Sequence, residues 1–121
     1  MANKNKIQLG HEGEKMAASY LEKKGYTILK MNYRCRIGEI DIIARKQGVY
    51  VFIEVKTRKS LHFGLPVEAI DYNKKHHLFK TAQHYIQYHK LYSSDFRFDA
   101  IEVYIQMTGK VRINHIMNII C

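Results

Sequence analysis

The spacing of apolar residues divides the chain into two helices and five strands. Residues 10–24 repeat apolar positions at helical spacing, with Ala17, Ala18 and Leu21 on one face. A second helical pattern covers about residues 67–91. Runs rich in β-branched and aromatic residues, typical of strands, cover residues 26–34, 37–46, 49–57, 96–105 and 111–120. The predicted order α-β-β-β-α-β-β favours an α/β (α+β) fold, with a mixed central sheet flanked by helices.

The second and third predicted strands meet at Gln47-Gly48, which predicts a hairpin with these residues at its tip. On that register Asp41 lies opposite Glu54 and Glu39 lies opposite Lys56, so these four side chains share one face. The other face is wholly apolar and consists of Ile40, Ile42, Ala44, Val51, Ile53 and Val55. A shift of the strand register by one residue would mix the two faces.

The predicted Asp41–Glu54 pair needs a compensating charge. Directly opposed residues have Cβ atoms about 4.5–5.5 Å apart, and like charges so placed repel. A divalent cation such as Mg²⁺, which binds oxygen at about 2.0–2.1 Å, can bridge two such carboxylates. The alternative is an exposed sheet face with an ordinary Glu39–Lys56 ion pair, but that interpretation leaves the repulsion unexplained. We therefore predict a metal site on this face.

Glu14 is a further candidate for this site. It precedes Ala17, Ala18 and Leu21 by three, four and seven residues, which places it on the predicted buried stripe of the first helix. A buried acid needs a partner, and a helix packed on the charged side of the sheet would direct Glu14 towards the metal. The alternative is a favourable charge in the first helical turn, worth about 0.5 kcal/mol.

Length and charge narrow the class of protein. With 121 residues the chain predicts one domain over residues 10–121, preceded by a flexible basic tail over residues 1–9. Twenty Lys and Arg against eleven acids give a net charge of +9. Such an excess favours a nucleic-acid partner, and an anionic membrane next, although a solvated basic surface would give the same total.

Other global features predict a cytoplasmic protein that does not cross a membrane. No uncharged apolar run approaches the roughly 20 residues that span a bilayer, and the first residues lack the apolar core of a signal peptide. Cys35 and Cys121 form no disulfide framework or metal-ligand pair. Of the seven histidines, His84 and His89 lie on different helix faces, so zinc is not expected.

An acidic helix, then Asp41, then Glu54-Val55-Lys56 on the next strand resembles the PD-(D/E)xK nuclease superfamily, which has the restriction-endonuclease-like fold and includes the archaeal Holliday-junction resolvases. More closely, the chain resembles the small bacterial proteins of the YraN-type family in that superfamily. The Gly38-Glu39-Ile40-Asp41 motif and the spaced Glu-Val-Lys carry most of the specificity. Ile40 stands where many superfamily members have proline.

The resemblance implies metal-dependent phosphodiester hydrolysis. Asp41 and Glu54 would hold Mg²⁺ or Mn²⁺, with the carbonyl of Val55 as a further ligand. Glu14 would bind the metal through water or orient that water. Lys56 would lower the pKa of the attacking water or offset charge on the phosphate. Glu39 would hold Lys56 in place.

The predicted partner is nucleic acid, with DNA, branched or damaged, favoured over RNA. A path for the sugar-phosphate backbone is predicted at five basic residues: Arg58, Lys59, Lys74, Lys75 and Lys80. A homodimer is a further expectation, since resolvases act on paired strands. Whether the chain is an enzyme stays open, because a catalytically silent nucleic-acid-binding module of the same fold would show the same residues.

Overall fold

The structure is a computed structural model, and it describes residues 6–60 and 72–120. Its elements follow the predicted order, which confirms the mixed α+β fold. They are α1 (Lys6–Lys23), β1 (Thr27–Arg34), β2 (Glu39–Lys46), β3 (Val49–Ser60), α2 (Tyr72–Tyr88), β4 (Asp95–Gln106) and β5 (Val111–Ile116).

The five strands form one sheet in the order β1-β2-β3-β4-β5. Neighbouring strands are antiparallel except β3 and β4, which pair in parallel from Val49↔Asp95 to Ser60↔Gln106. Parallel neighbours need a long crossover, and the connection between these two strands contains α2. The predicted mixed sheet is therefore confirmed, with its parallel pair at β3 and β4.

The helices pack on opposite faces of the sheet. Ala17 and Leu21 of α1 belong to one core cluster, and Leu78 and Ala82 of α2 belong to the other. The central strand β3 contributes alternately to both, with Val51 and Ile53 on the α1 side and Phe52 on the α2 side, all fully buried. In the part of the chain that the structure describes, neither helix has the length and apolar character needed to cross a membrane.

The β2–β3 hairpin has the predicted tip. Gln47 and Gly48 both have positive φ, 50° and 81°, the requirement of a two-residue type I′ turn. The pairs from Lys46↔Val49 to Ile42↔Ile53 follow the predicted register. The turn and the apolar alternation therefore determine the register of this half of the hairpin.

The alternation breaks close to Asp41. Ile40 packs in the α2-side cluster, whereas Ile42 packs in the α1-side cluster, so the prediction that both share one face was wrong. On the neighbouring strand Asn32 has a left-handed φ of 53° and falls between the pairs Met31↔Ile42 and Tyr33↔Ile40. Asparagine tolerates this conformation better than most residues. Two facing strands thus change their side-chain alternation at the level of Asp41.

Several element boundaries also differ from the predictions, since β3 extends to Ser60 rather than residue 57 and β5 ends at Ile116 rather than residue 120. The helix α1 begins at Lys6, so residues 6–9 of the predicted tail are helical, and residues 1–5 lie outside the described chain. The helix α2 ends at Tyr88 rather than near residue 91. Lys90 has a left-handed φ of 56°, a conformation that ends helices. The predicted helical residues 67–71 lie outside the described residues.

Candidate functional site

The regular pairing of β2 with β3 ends at Ile42 and Ile53, just before Asp41 and Glu54. The Asp41 side chain reaches across to β3, where Oδ2 accepts a hydrogen bond from the Val55 amide at 2.8 Å. This carboxylate takes the place of a ladder carbonyl. The predicted direct Asp41–Glu54 pair is therefore not part of the ladder, and Asp41 lies where the two strands separate.

Asp41 has a strongly perturbed acidity. Burial is the main cause that raises its pKa from 3.8 to about 7, and the hydrogen bond from Val55 acts in the opposite direction. The charges of Glu54, Glu14 and Glu39 each raise the pKa further. All the acids that the sequence singled out therefore act on one carboxylate. At neutral pH this carboxylate is only partly ionised unless a cation offsets its neighbours.

The charge of Glu14 acts on Asp41, and α1 packs closely on β3 next to this residue. A Cβ at Gly13 would overlap the Thr57 side chain, so glycine permits this approach. The Glu14 side chain is 15% exposed, and its Oε1 lies 3.7 Å from His11 Nδ1. A tight helix–strand contact thus fixes the position of a half-buried acid.

The acids approach Asp41 from both sides of the sheet. Ile53 and Val55 pack on the α1 side, so Glu54 between them points to the α2 side. The apolar stripe of α1 packs on the face opposite to Glu54, so α1 does not lie on the charged side of the sheet. Glu14 and Glu54 both act on Asp41 because the strands separate there.

Lys56 lies on the same face as Glu54 and is surrounded by cations. Burial is the main cause that lowers its pKa, and the side chains of Lys74 and Arg58 lower it further. The charge of Glu54 opposes this shift. The first turn of α2 therefore brings Lys74 next to the end of the Glu54-Val55-Lys56 segment.

Glu39 differs from its predicted role. Its Oε2 lies 3.0 Å from Arg34 Nε on the paired strand β1, and both side chains are more than half exposed. The predicted cross-strand Glu39–Lys56 pair is absent from the β2–β3 ladder, which ends at Ile42. Glu39 contributes its charge to Asp41, and its ion pair holds Arg34.

The predicted basic path is only partly assembled around Lys56. Arg58 and Lys74 both influence the pKa of Lys56, so they lie beside the acids. Lys75 follows on α2 and is half-buried. Lys80 is exposed and lies about 9 Å from Lys74 along the helix axis. Lys59 is exposed and, by strand alternation, points to the α1 side, away from Lys56.

The model of the uncharacterised protein family UPF0102 matches residues 13–103, a stretch that contains the acids on α1, β2 and β3 as well as Lys56 and α2. The chain belongs to this family. A UPF0102 protein of Caldanaerobacter subterraneus subsp. tengcongensis is 48% identical over 120 residues, which cover 98% of both chains. A relative in Clostridioides difficile is 46% identical over 118 residues, again covering 98% of each.

Among solved structures, the crystal structure of SSO0001 is similar with a TM-score of 0.36 and 22% sequence identity. The similarity covers 95% of this chain and 53% of the other, so this UPF0102 chain spans about half the length of that protein. A likeness at this level carries no argument about function.

The donors around Asp41 suit a hard divalent cation, because Mg²⁺ and Mn²⁺ prefer carboxylate and carbonyl oxygens. Across residues 6–60 and 72–120, no three His, Cys, Asp or Glu side chains are grouped so that they could hold a metal ion. Mg²⁺ typically uses one or two carboxylates and keeps several waters. Asp41 and Glu54 fit that coordination, whereas a four-ligand zinc site has no matching group in the same ranges.

Asp99 of the UPF0102 chain, which the sequence placed outside the candidate site, is fully buried on β4. Both its oxygens accept hydrogen bonds from Arg97 at 2.9 Å. Oδ2 also lies 2.7 Å from His115 Nε2, and Oδ1 accepts the Asn118 amide at 3.2 Å. The Arg97 guanidinium also donates to the Tyr26 hydroxyl at 2.6 Å. The sequence signal for these contacts is the presence of Arg97, Asp99 and Glu102 among the apolar residues of one strand.

Glu102, on the same strand, was not predicted as a site residue either. It is 1% exposed on β4, directly beside Lys56 in the parallel ladder. Its Oε1 accepts a hydrogen bond from Asn114 Nδ2 at 2.8 Å, whereas no donor among the described side chains reaches the buried Oε2. The parallel pairing thus places a buried carboxyl group next to Lys56.

Proposed function

We propose that this protein is a Mg²⁺- or Mn²⁺-dependent nuclease-like protein that hydrolyses phosphodiester bonds in nucleic acid, with DNA favoured over RNA. The observation that carries the proposal is the pKa of Asp41, raised to about 7 by burial and by three neighbouring carboxylates. Fixed acids crowded around one carboxylate are costly for a fold, and groups with such perturbed pKa values concentrate at functional sites. A bound divalent cation would remove the repulsion.

Asp41 and Glu54 would hold the cation, with the Val55 carbonyl and waters completing its coordination. When bound, the cation supplies Lewis-acid polarisation of the phosphate and a more acidic bound water. Val55 has a second role, since its amide fixes the orientation of Asp41. Glu14, next to the close Gly13–Thr57 contact, would accept a hydrogen bond from a water beside Asp41, and its charge effect on Asp41 supports this role.

Lys56 is the residue that would meet the charge developing on the phosphate. Preorganised cations at such a position contribute most where water is excluded, and Lys56 is half-buried. Its neighbours Arg58 and Lys74 extend the positive surface away from the acids. An extended cationic surface next to an acidic pair suits a phosphodiester, because the backbone binds the cations while one phosphate reaches the acids.

The proposal follows the resemblance to the PD-(D/E)xK superfamily in Asp41 and Glu54-Val55-Lys56. The second candidate is a catalytically silent nucleic-acid-binding module of the same fold. It is favoured by the finding that no three potential ligands are grouped together within the described residues. Both candidates require nucleic-acid binding, and only the first requires cleavage.

The test is cleavage of labelled DNA in single-stranded, duplex, flapped and four-way-junction form, and of structured RNA, with Mg²⁺, Mn²⁺ or EDTA. We expect at least one substrate to be cut in a metal-dependent manner. Glu54→Ala and Lys56→Ala should each reduce the rate at least about 100-fold, the scale for loss of a group that stabilises transition-state charge. Lys59→Ala, a matched lysine on the opposite face of β3, should leave the rate within about twofold.

Three outcomes decide between the candidates. Binding without cleavage by the wild type, in both Mg²⁺ and Mn²⁺, supports the silent module. Cleavage that persists unchanged in Glu54→Ala and Lys56→Ala refutes the assignment of these residues. Absence of any salt-dependent binding refutes both candidates.

A further inference from the structure

An open groove lies between α2 and the start of β4, away from the acids. Its volume is about 310 Å³, at the lower end of the range for small-molecule sites. Aromatic rings form most of its walls, and two amide side chains lie on one side. We call this the aromatic groove, lined by Phe79, Gln83, Ile86, Gln87, Tyr92 and Phe96 over a floor at Phe98.

The aromatic walls are fixed by contacts with the protein interior. Phe79 packs against Phe98 with ring centroids 5.8 Å apart, and Phe96 packs against Phe52 at 6.1 Å. The Tyr92 hydroxyl donates to the Gln87 carbonyl at 3.4 Å. Nevertheless Phe79 and Tyr92 remain 38% and 69% exposed. Rings that are held rigidly yet left open to solvent are typical of binding surfaces.

Gln83 and Gln87 add directional groups to this wall. They are one helical turn apart on α2, so both side chains project from the same side of the helix as Phe79. Each amide has two donor hydrogens and one acceptor oxygen. Ring faces for stacking, with amides beside them, are the groups that recognise an unstacked nucleobase.

The charges around the groove favour a polyanion. The helix α2 contains no acidic residue. Lys75 precedes Phe79 by one turn on the same side, and Lys90 follows the helix end beyond Gln87. A lysine near each end of a row of aromatic and amide groups is suited to the phosphates on either side of a bound base.

The groove also lies within reach of the proposed active site. Lys74, in the first turn of α2, adjoins Lys56. Along the helix axis, Phe79 lies about 8 Å and Gln87 about 20 Å from Lys74. Even at the roughly 3.4 Å rise of a stacked strand, that distance corresponds to no more than about six nucleotides. One strand could therefore contact both places.

We propose that the aromatic groove binds an unpaired nucleobase, so that the substrate of the proposed site carries a single-stranded stretch. The inference rests on the proposed function in requiring nucleic acid as the ligand, but not on cleavage. Phe79 and Tyr92 stack on the base, Gln83 and Gln87 bond to its edge, and Lys75 and Lys90 bind the flanking phosphates. A helix or peptide partner would need the apolar rings but not the lysines at both ends.

The test compares a labelled single-stranded ten-nucleotide DNA with an abasic strand of equal length and phosphate number, in EDTA, by fluorescence anisotropy. The wild type should bind the strand with bases about 5- to 100-fold more tightly, the range for loss of a base stack. Tyr92→Ala and the double variant Gln83→Ala/Gln87→Ala should bring that ratio towards one. Tyr88→Ala should leave it unchanged, because Tyr88 is 75% exposed on α2 but does not line the groove.

Separate control variants test whether a substitution affects folding or the proposed acidic site. Tyr92 is exposed, so its replacement should leave the melting temperature unchanged, and Phe79→Ala serves as an independent variant. Glu54→Ala should keep the base-dependent ratio, because the acids are remote from the groove. Equal affinity of the wild type for both strands, with binding still steeply salt-dependent, would overturn the groove proposal and leave the proposed function standing. Failure to bind either strand would also overturn the groove proposal, whereas the proposed function would fall only if duplex and junction DNA and structured RNA failed to bind as well.

Discussion

Asp41 and Asp99 are two aspartates of the sheet that are at least partly buried, and their electrostatic surroundings are opposite. Asp99 is fully buried, and burial alone would raise its pKa, but hydrogen bonds from His115, Arg97 and the Asn118 amide hold that pKa below its usual value. Asp41 receives one amide hydrogen bond and the repulsion of three carboxylates, and its pKa rises to about 7. The same side chain is thus neutralised by partners at one place and left without compensation at the other.

The difference separates a structural acid from a candidate functional one. A buried carboxylate that is hydrogen-bonded and paired helps to hold its elements together. Asp99 joins β4 to β5 and, through Arg97 and Tyr26, to the turn between α1 and β1. Asp41 also joins two strands through the Val55 amide, but three neighbouring carboxylates raise its pKa. The proposed cation would relieve that repulsion.

The largest expected effect on stability is that of replacing Asp99, the acid that is paired with Arg97. Asp99→Asn keeps the shape of the side chain but leaves the shielded Arg97 guanidinium without its counter-charge. Breaking a buried ion pair in this way should lower the free energy of unfolding by about 3–5 kcal/mol. Urea denaturation at pH 7.5 would measure it. A change below 1 kcal/mol would show that the Asp99 network is not structural. Tyr26→Phe, which removes only one acceptor of Arg97, should cost about 1 kcal/mol.

Mn²⁺ should stabilise the protein through Asp41 and not through Asp99. A ligand that binds only the folded state, at a concentration about 100 times its dissociation constant, raises the free energy of unfolding by about 2.7 kcal/mol. Thermal melts with increasing MnCl₂ should therefore show a rise in Tm for the wild type and Tyr26→Phe. The rise should vanish in Asp41→Asn. A rise of equal size in Asp41→Asn would place the metal elsewhere.

Asp41→Asn should stabilise the metal-free protein at alkaline pH, the opposite sign to Asp99→Asn. The folded pKa of Asp41 is raised from 3.8 to about 7, so its stabilising contribution is present below about pH 4 and lost as the pH rises through about 7. Each pKa unit corresponds to about 1.4 kcal/mol, so the full shift of Asp41 limits the gain in unfolding free energy to about 4 kcal/mol. We expect a gain of about 2 kcal/mol at pH 8. Urea titrations at pH 4 and pH 8 in EDTA should show this gain only at pH 8. An equal gain at both pH values would exclude the titration of Asp41 as its cause.

The smallest effect concerns the contact that brings Glu14 to the site. Gly13→Ala would force a methyl group into Thr57 and should destabilise the protein by about 1–2 kcal/mol. Gly10→Ala on the same helix meets nothing within 4 Å and should stabilise it by about 0.5–1 kcal/mol. Moving Glu14 away should also lower the pKa of Asp41, which NMR titration would detect. An unchanged Asp41 titration in Gly13→Ala would remove Glu14 from the cluster.

Local rules in the sequence were enough for the element order, the hairpin tip and half of its register. Apolar alternation identifies β2 and β3, and the Gln47-Gly48 turn fixes how they pair. The change of alternation at Asp41 depends on the left-handed Asn32 of the neighbouring strand, which strand propensities do not reveal.

The candidate site was predicted as a set of residues but not as a geometry. Strand alternation correctly placed Glu54 and Lys56 on one face, because this prediction needs only their spacing of two residues along β3. The Arg34 partner of Glu39 and the Lys74 neighbour of Lys56 come from other elements, so no local pattern indicates them. Two partners of Asp99 are hidden in the same way, because His115 and Asn118 lie 16 and 19 positions further along the chain.

The parallel pairing of β3 with β4 has a consequence for the order in which the molecule assembles. The β2–β3 hairpin closes over two residues, whereas Val49 must find Asp95, 46 positions later, before the parallel ladder can form. Loop-closure entropy makes such non-local pairing slow compared with a hairpin. We therefore expect an early hairpin with a solvent-exposed Asp41 of ordinary acidity. Its proton affinity would rise only when α1 docks and the crossover closes, so Asp41 would take up a proton late in folding.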